Sequence, residues 1–533
     1  MKMIFRWYIN ALSSHKKEAL IGFTYVILIA FLSVLIPALI KIFLEQLVVG
    51  TFNIFYLITG LVIFTLILFI KTFFNMQWYV SLDDFGGKYI TDLSMKCQAS
   101  VEKAYLEDIE TISFSTLKHV LYYDVLEVFR VIAHHIPTIV GSIFVIVFSL
   151  SLAFFYSFTI SILVLVSLII GVLISVLSRN IISKKASSTN EKMKDVHGVV
   201  SEFTDAISSI QTNLTIGYYN KKISRTISSF IATAKKEDRV IYFWSGVMQN
   251  YSILFSIVLS AVLAFSLSGN AIVNFAFFTI LANIVMSEGQ KIESMLHQTV
   301  KSKVCFLNIN RVLTLKKKKG DFVLNSIDRL EFDDVSFSYG KDTPLVLSHL
   351  SFDLVSGDCV RIVGPNGAGK SSIVKILSRL YKVNSGQVRV NHSFIDDIDS
   401  KWLYSKMLYI NQDDYLMNDS IVNYIIENSD VQSVEEIHRH LKSVNLEDKQ
   451  MISNGSNLSA GQRKKILFMK AKIKAKEADL IIFDEITSGM DVDTQKEFAE
   501  FVNSIIRDSK KIVIIIDHND LGRINYNKEI CVI

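Results

Sequence analysis

Cysteine and proline are both scarce in this chain, which has four of each among 533 residues. The few cysteines, at Cys97, Cys305, Cys359 and Cys531, do not provide a disulfide framework. Proline is absent from two long segments, at about 81–130 and 178–239, which mix charged residues with helical periodicity. Because no proline interrupts them, we predict that both segments form long helices.

A signal-peptide cleavage site is also missing. Residues 1–19 are basic and amphipathic, and the apolar run after them is longer than a signal-peptide core and lacks a small-residue cleavage site. We therefore predict that residues 1–19 form an amphipathic N-terminal elbow that is retained in the protein.

Long apolar runs dominate the next 300 residues. Windows long enough to cross about 30 Å of hydrocarbon occur six times, at about 20–44, 54–80, 131–154, 158–177, 242–266 and 271–286. The short connections between them contain no Lys or Arg, whereas residues 179–239 carry eleven. Since basic loops stay in the cytoplasm, both termini and both long segments are predicted to be cytoplasmic. We expect a six-helix membrane domain over 20–315 in a bacterial cytoplasmic (inner) membrane.

The formal net charge of +5 does not by itself indicate nucleic acid. Lys and Arg cluster beside the apolar windows, where they set topology or meet anionic lipid, so the lipid bilayer and not nucleic acid is the expected partner. The basic run 316–319, closed by Gly320, separates the apolar part from the rest of the chain. We interpret residues 316–325 as a solvated basic linker, with anionic headgroups as an alternative neighbour.

Residues 326–533 alternate short strand-like runs with helical segments, as expected for an α/β domain. Its clearest motif is a phosphate-binding loop, with the Gly, four residues, Gly-Lys-Ser spacing between a buried strand and an amphipathic helix. Backbone amides and the helix dipole of such a loop bind phosphate oxygens. The predicted nucleotide-binding residues here are Gly364, Asn366, Gly367, Gly369, Lys370, Ser371 and Ser372. Lys370 is expected to reach the β- and γ-phosphates and Ser371 to bind Mg²⁺.

Two adjacent carboxylates end an apolar run at 480–483. A buried strand with two acids at its tip is costly unless the acids have partners, and Mg²⁺ and water supply them. We predict that Asp484 holds the metal and that Glu485 is the general base or water-positioning residue.

Together these motifs resemble the nucleotide-binding domain of ABC transporters, with the family's motifs in the expected order. The resemblance implies that Tyr339 stacks on adenine, that Gln412 contacts Mg²⁺ and the attacking water, and that His518 contacts the γ-phosphate. It assigns Asp491 to the loop that communicates between two ATP sites. Ser459, Gly461 and Gln462 then form the signature that binds the nucleotide of an opposing domain. Ala460, Ile486 and Met490 depart from the family pattern without removing a catalytic group.

The whole chain resembles the exporter type of ABC half-transporter, so the working unit is expected to be a homodimer with two ATP sites. In the family, short coupling helices at the tips of the two cytoplasmic extensions dock on the nucleotide-binding domains. By that resemblance, the tips lie near residues 105–112 and 215–222. The cofactors implied are ATP and Mg²⁺.

The sequence says less about the transported substrate than about ATP as the energy source. Similarity to small bacterial exporters makes a secreted peptide, modified or cyclic, the first expectation, with a lipid or hydrophobic drug as the alternative. An ATP-gated channel or sensor remains open as a further reading. We interpret Lys71, near the inner end of the second predicted span, as a lysine that snorkels to the interface. Other ionisable residues inside or beside the spans could line a substrate cavity or lie at the interface, and both readings stay open for His134, His135, Glu288, Lys291 and Glu293.

Overall fold

The computed structural model describes residues 2–48, 54–213, 215–266, 271–340, 343–411, 414–426, 438, 441–442, 446, 450–452, 454–487, 492–508, 510–517 and 523–532. The chain forms two compact units. The first comprises Met1–Glu102 and Ile112–Thr314, and the second comprises Lys103–Thr111 and Leu315–Ile533. The second unit therefore includes a nine-residue segment that lies far from the rest of it in sequence.

The first unit is helical. The helices that precede the first strand are, in chain order, α1 (Lys2–Ser14), α2 (Lys16–Val48), α3 (Ile54–Glu102), α4 (Leu106–Glu110, in the second unit), α5 (Phe114–His119), α6 (Val125–Arg130), α7 (Ile136–Tyr156), α8 (Phe158–Asp205), α9 (Ile207–Thr212), α10 (Ile216–Ser266), α11 (Ala271–Lys301) and α12 (Lys303–Leu313). Two π-helical turns, Val120–Asp124 and Val131–His135, connect α5, α6 and α7. In α1, Ile4, Tyr8 and Ala11 are buried at helical spacing, which gives the helix one apolar face.

Four helical stretches of the described chain are long and apolar enough to cross a membrane: Lys16–Gln46, Ile58–Glu102, Thr116–Tyr156 and Phe158–Ser178. The predicted windows 242–266 and 271–286 lie in α10 and α11. At about 1.5 Å per residue, the 49 residues of α3 exceed the roughly 30 Å of a bilayer core more than twofold. The prediction of a helical membrane domain with extended helices is thus confirmed. The prediction that six of its helices span the membrane stays a prediction.

The second unit is an α/β domain, as predicted, and its described strands form two sheets. Its strands are β1 (Arg329–Phe337), β2 (Leu347–Val355), β3 (Cys359–Val363), β4 (Ser385–Val390), β5 (Ser393–Phe394), β6 (Met407–Asn411), β7 (Leu480–Asp484), β8 (Ile512–Ile516) and β9 (Lys528–Cys531). Its helices after β3 are α13 (Lys370–Leu377), α14 (Ser400–Lys406), α15 (Ile421–Ile426), α16 (Ala460–Lys474) and α17 (Val492–Asp508), with a 3₁₀ turn at Ile395–Asp397.

The two sheets differ in strand direction. Strands in the order β2-β1-β4-β5 pair antiparallel, whereas β6-β7-β8-β3-β9 is a parallel sheet. Every residue of β7 and β8 is buried, as parallel strands covered on both faces require. In the register of the parallel sheet, Asn411 lies beside Asp484 and Asp484 beside Ile516. The carboxyl ends of three strands therefore meet at one edge, where α/β proteins bind ligands.

The backbone of the basic linker is hydrogen-bonded within the second unit. The Lys318 amide donates to the Lys103 carbonyl at 2.7 Å, and Lys317 pairs with Ala104. Phe322 likewise pairs with Ile398. The Lys316, Lys317 and Lys319 side chains remain exposed. A run of lysines predicts that the side chains are solvated. It does not predict that the backbone carrying them is hydrogen-bonded to other segments.

Candidate functional site

The phosphate-binding loop lies between β3 and α13, at the edge where the parallel strands end. Gly367 and Gly369 have φ angles of +85° and +98°, a region that favours glycine. A Cβ on Gly364 would lie 2.3 Å from the Val532 carbonyl oxygen. Glycine at these positions is therefore needed both for backbone conformation and for close approach of neighbouring chain.

The Lys370 ammonium lies inside this loop. Its Nζ donates to the carbonyl oxygens of Gly364 at 2.8 Å and Pro365 at 3.1 Å, and the residue is only 7% exposed. Lys370 also begins α13, so the N-terminus of this helix belongs to the same loop. A buried ammonium and a helix N-terminus in one loop suit a polyphosphate.

Gly369 provides a direct test of this geometry. A Cβ there would lie 2.7 Å from Leu347 Cδ2 and 2.9 Å from Val346 Cγ1. We expect Gly369→Ala to lower the free energy of unfolding by about 1–3 kcal/mol, since it adds both a clash and a strained φ. It should also weaken ATP binding. Thermal unfolding and ATP titration of the purified protein measure both effects.

Gly461 offers the matched control, because among the described residues no atom beyond its chain neighbours and its own helix backbone lies within 4 Å of a Cβ built there. Its position in α16 makes alanine at least as favourable as glycine for the helix. Equal stability losses for Gly369→Ala and Gly461→Ala would contradict the proposed loop geometry.

Asp484 is the buried end of β7, at 5% exposure. The Tyr409 hydroxyl donates to its Oδ2 at 3.2 Å, and the Ser371 hydroxyl lies near enough to this carboxylate to lower its pKa. Burial raises the pKa of Asp484 above its usual value, and the neighbouring Glu485 raises it further. A buried carboxylate next to a serine hydroxyl fits Mg²⁺, which prefers oxygen ligands. The structure thus brings together two of the predicted metal ligands, Ser371 and Asp484.

Glu485 follows Asp484 with a φ of +52°, which is unusual for a residue other than glycine. Its amide donates to the Ile516 carbonyl at 2.8 Å, so β8 holds the backbone in this conformation. Nearby, the Thr487 hydroxyl donates to the buried carboxylate of Asp517. Strained residues of this kind occur where a side chain is oriented for function.

The predicted signature residues cap α16. Ser459 Oγ accepts from the Gln462 amide at 3.2 Å, while Gln462 Oε1 accepts from the Ser459 amide at 3.0 Å. This reciprocal capping box fixes the helix N-terminus, and Gly461 lies in its first turn. In the described residues, no hydrogen bond joins this cap to the phosphate-binding loop.

Tyr339 lies beside α13 and is 37% exposed. Its hydroxyl is 2.8 Å from Ser372 Oγ, so the buried Ser372 contacts the tyrosine. The Lys375 ammonium lies 4.8 Å from the centre of the ring. Tyr339 therefore presents a partly open aromatic ring next to the phosphate-binding helix.

Asn366 belongs to the described loop between Gly364 and Gly367. Gln412, His518 and Asp491 lie outside the described residues, as do Ser488 to Met490. Strand β6 ends at Asn411, directly before Gln412, and Asp517 directly precedes His518. The predicted roles of Gln412, His518 and Asp491 thus stay predictions.

The two predicted tips differ in the structure. Helix α4, at Leu106–Glu110, lies within the predicted range 105–112 and belongs to the second unit. In the other extension, the short helix is α9, at Ile207–Thr212, whereas 216–222 forms the start of α10. The helical periodicity of this extension gave no signal for the interruption after Thr212.

Arg379 and Tyr381, just after α13, were missed by sequence reasoning. Arg379 is 1% exposed and its guanidinium donates to the Asp396 carbonyl at 2.8 Å and to those of Ile398 and Lys319. It therefore ties the linker to the region before α14. Neither residue belongs to a motif with a recognisable spacing.

The family described as ABC transporter matches residues 347–488 of this chain. An ATP-dependent lipid A-core flippase of Desulfotalea psychrophila is 23% identical over 498 residues, which cover 89% of this chain and 84% of that protein. The flippase of the same name from Vibrio parahaemolyticus is 31% identical over 232 residues, or 41% of this chain and 38% of that protein. The match therefore spans less than half of the latter.

The fold is similar to a solved structure of a bacterial Atm1-family ABC exporter with ATP bound. The TM-score is 0.83 at 18% sequence identity, with 97% of this chain and 93% of that chain covered. A mitochondrial iron-sulfur clusters transporter atm1 of Aspergillus fumigatus is 27% identical over 234 residues, which cover 42% of this chain and 32% of that protein.

Proposed function

We propose that this chain, in which an ABC transporter ATP-binding domain is fused to an N-terminal membrane domain as a half-transporter, works as a homodimeric lipid exporter. Hydrolysis of ATP by the second unit is coupled to transport through a multi-pass membrane domain. The observation that carries the proposal is the phosphate-binding loop with the buried Asp484 and the strained Glu485 beside it. The site of action that we propose is the cytoplasmic membrane of a bacterium.

The need for a second copy rests on the signature cap. Ser459 and Gln462 bond to each other, and in the described residues neither contacts the phosphate-binding loop of its own chain. The positive end of the α16 dipole is therefore suited to the phosphate of another chain. We infer that Gly364 to Ser371 of one protomer and Ser459 to Gln462 of its partner enclose each ATP.

In each site, Lys370 and the amides of the loop bind the phosphates, and Tyr339 holds the adenine. Ser371 and Asp484 are the residues that would hold Mg²⁺, which supplies charge neutralisation at the phosphates when bound. Glu485 orients the attacking water and accepts its proton. Gln412 and His518 complete the predicted set around the water and the γ-phosphate.

Lipid now has more support than the peptide that was the first expectation from sequence. The relatives described above include flippases for lipid A-core. Within the membrane unit, the Lys291 ammonium is 2.6 Å from Glu288 Oε1, and Lys71 lies within electrostatic range of both. Ser142 donates to the second oxygen of Glu288 at 2.6 Å. Two ammonium groups with one carboxylate leave net positive charge, which suits an anionic headgroup.

We expect Lys71→Gln to weaken activation by an anionic lipid about fivefold, since one basic group near anionic lipid contributes about 1 kcal/mol. Activation by an uncharged lipid should be unchanged. The measurement is ATPase activity of the purified protein in nanodiscs of increasing anionic lipid content.

Lys184→Gln is the control, because Lys184 is an exposed lysine in the part of α8 beyond its apolar stretch. If both variants lost activation equally, the effect would come from general surface charge. Strong activation by a peptide panel and none by lipids would favour the peptide alternative.

A further inference from the structure

Two tyrosines lie between the proposed adenine position and α4. The Tyr339 and Tyr381 rings meet edge to face, with centroids 5.2 Å apart and an interplanar angle of 90°. The Tyr381 hydroxyl donates to Glu110 Oε1 at 2.6 Å. A continuous series of contacts thus joins Tyr339, at the nucleotide site, to the last residue of α4.

The side chains in this series are close enough for a movement of one ring to displace the next. Tyr381 is only 3% exposed, and its ring also lies edge to face with Phe337 at 5.7 Å. The Lys375 ammonium of α13 lies 4.8 Å from the Tyr339 ring centre and 5.6 Å from that of Tyr381. Because the Tyr381 ring is confined by its buried surroundings, a change at its contact with Tyr339 cannot be absorbed by empty space around Tyr381.

The position of α4 is fixed at one end and held by a single side-chain bond at the other. The Leu106 amide donates to the Leu380 carbonyl at 2.8 Å, which holds the start of the helix to the chain next to Tyr381. Glu110 ends the helix, and its side chain is bound by Tyr381. Burial, and then the bond to Glu110, raises the pKa of Tyr381, so the phenol remains a donor.

We propose that Tyr381 is a positioning residue that transmits occupancy of the adenine site from Tyr339 to Glu110 and so to α4. Adenine stacked on the open face of Tyr339 changes the orientation of that ring, and the edge contact passes the change to Tyr381. The Tyr381 hydroxyl then alters its bond to Glu110. The chain continues from α4 into α5 of the membrane unit, so the state of α4 bears on transport.

The inference rests on the proposed role of Tyr339 in binding adenine. The inference requires a base that contacts Tyr339, whereas phosphate binding does not. A triphosphate without a base does not contact Tyr339. The base is therefore what the experiment varies.

A fluorescent label on α4 can report its state in the full-length protein. Thr111→Cys places an exposed thiol directly after the helix, and Cys531→Ser removes the exposed one of the four native cysteines. We expect Mg-ATP to change the emission of the label. Inorganic tripolyphosphate, at concentrations that displace ATP, should leave it near the value without ligand.

Variants of the hydrogen bond separate transmission from folding. Tyr381→Phe keeps the ring and its packing but removes the hydroxyl, and we expect the ATP-dependent change to fall about fivefold or more, with ATP affinity retained. Glu110→Ala should have the same effect. Glu110→Gln keeps an acceptor for the phenol and should restore most of the response, which a loss of folding would not.

Two results would overturn the inference. A full response to ATP in Tyr381→Phe would show that the hydroxyl transmits nothing, and a full response to tripolyphosphate would show that the base is not sensed. The role of Tyr339 is checked separately by ATP affinity in Tyr339→Ala. Unchanged affinity there would refute the adenine position itself, whereas reduced affinity with an intact Tyr381→Phe response would refute only the transmission.

Discussion

Replacing Glu485 with glutamine is expected to lower the kcat of ATP hydrolysis by a hundredfold or more, because a general base contributes about 10²–10⁴ in rate. Glutamine is nearly the same size and keeps an oxygen near the water, but it cannot accept the proton. The backbone at Glu485 is held by the bond from its amide to the Ile516 carbonyl, which the substitution leaves intact, so its conformation should stay in place. ATP binding should therefore be retained.

Phosphate release and ATP binding should be measured on the same preparation, together with transport into vesicles. Glu500→Gln is the matched control, since Glu500 is exposed on α17 and lies outside the proposed site. We expect the Glu485 variant to lose both turnover and transport, and the control to lose neither. Substrate movement that persisted in Glu485→Gln would contradict a hydrolysis-driven exporter and favour the ATP-gated channel.

Arg379→Met is expected to be the most damaging substitution for stability. The guanidinium is 1% exposed and its acceptors are the carbonyls of Lys319, Asp396 and Ile398. Methionine fills the space but leaves these oxygens without a donor, and removing one member of a buried charged network costs about 3–5 kcal/mol.

The expected readout is a lowered unfolding temperature, together with faster proteolysis in the linker at 316–325, because the Lys319 carbonyl loses its partner. Arg507→Met, at an exposed residue of α17, is the control and should change the unfolding temperature little. Arg379→Lys should rescue only partly, since an ammonium lacks the planar fork that reaches several carbonyls. An unchanged unfolding temperature in Arg379→Met would refute the assigned role of the network.

Local chemistry made the core of the candidate site predictable. The loop from Gly364 to Ser371 is contiguous, and each of its residues has a function that depends on its immediate neighbours. Asp484 and Glu485 were predictable for a related reason. Two carboxylates at the end of a buried strand cost free energy unless they have partners, so few structures can accommodate them. The parallel strands then place these two stretches at one edge of the sheet.

Contacts between distant parts of the chain were beyond prediction. The linker was interpreted as solvated because its lysines are charged, yet Gly320 approaches the backbone so closely that a Cβ would lie 2.3 Å from the Ile398 oxygen. Arg379 looked like any basic residue after a helix. Its burial depends on carbonyls from two other segments, which no local pattern encodes.

The sequence by itself therefore determined that this protein has an apolar helical part and an α/β part with a phosphate-binding loop, and it predicted which residues bind the phosphates. Hydrophobic runs and a phosphate loop are local patterns, so they can be recognised without knowing the fold. Only the tertiary structure showed that α4 belongs to the second unit and that the linker is hydrogen-bonded to Arg379. It also showed that Tyr381 contacts both Tyr339 and Glu110. Glu110 and Tyr381 are 271 residues apart, and only folding brings such groups within hydrogen-bond distance.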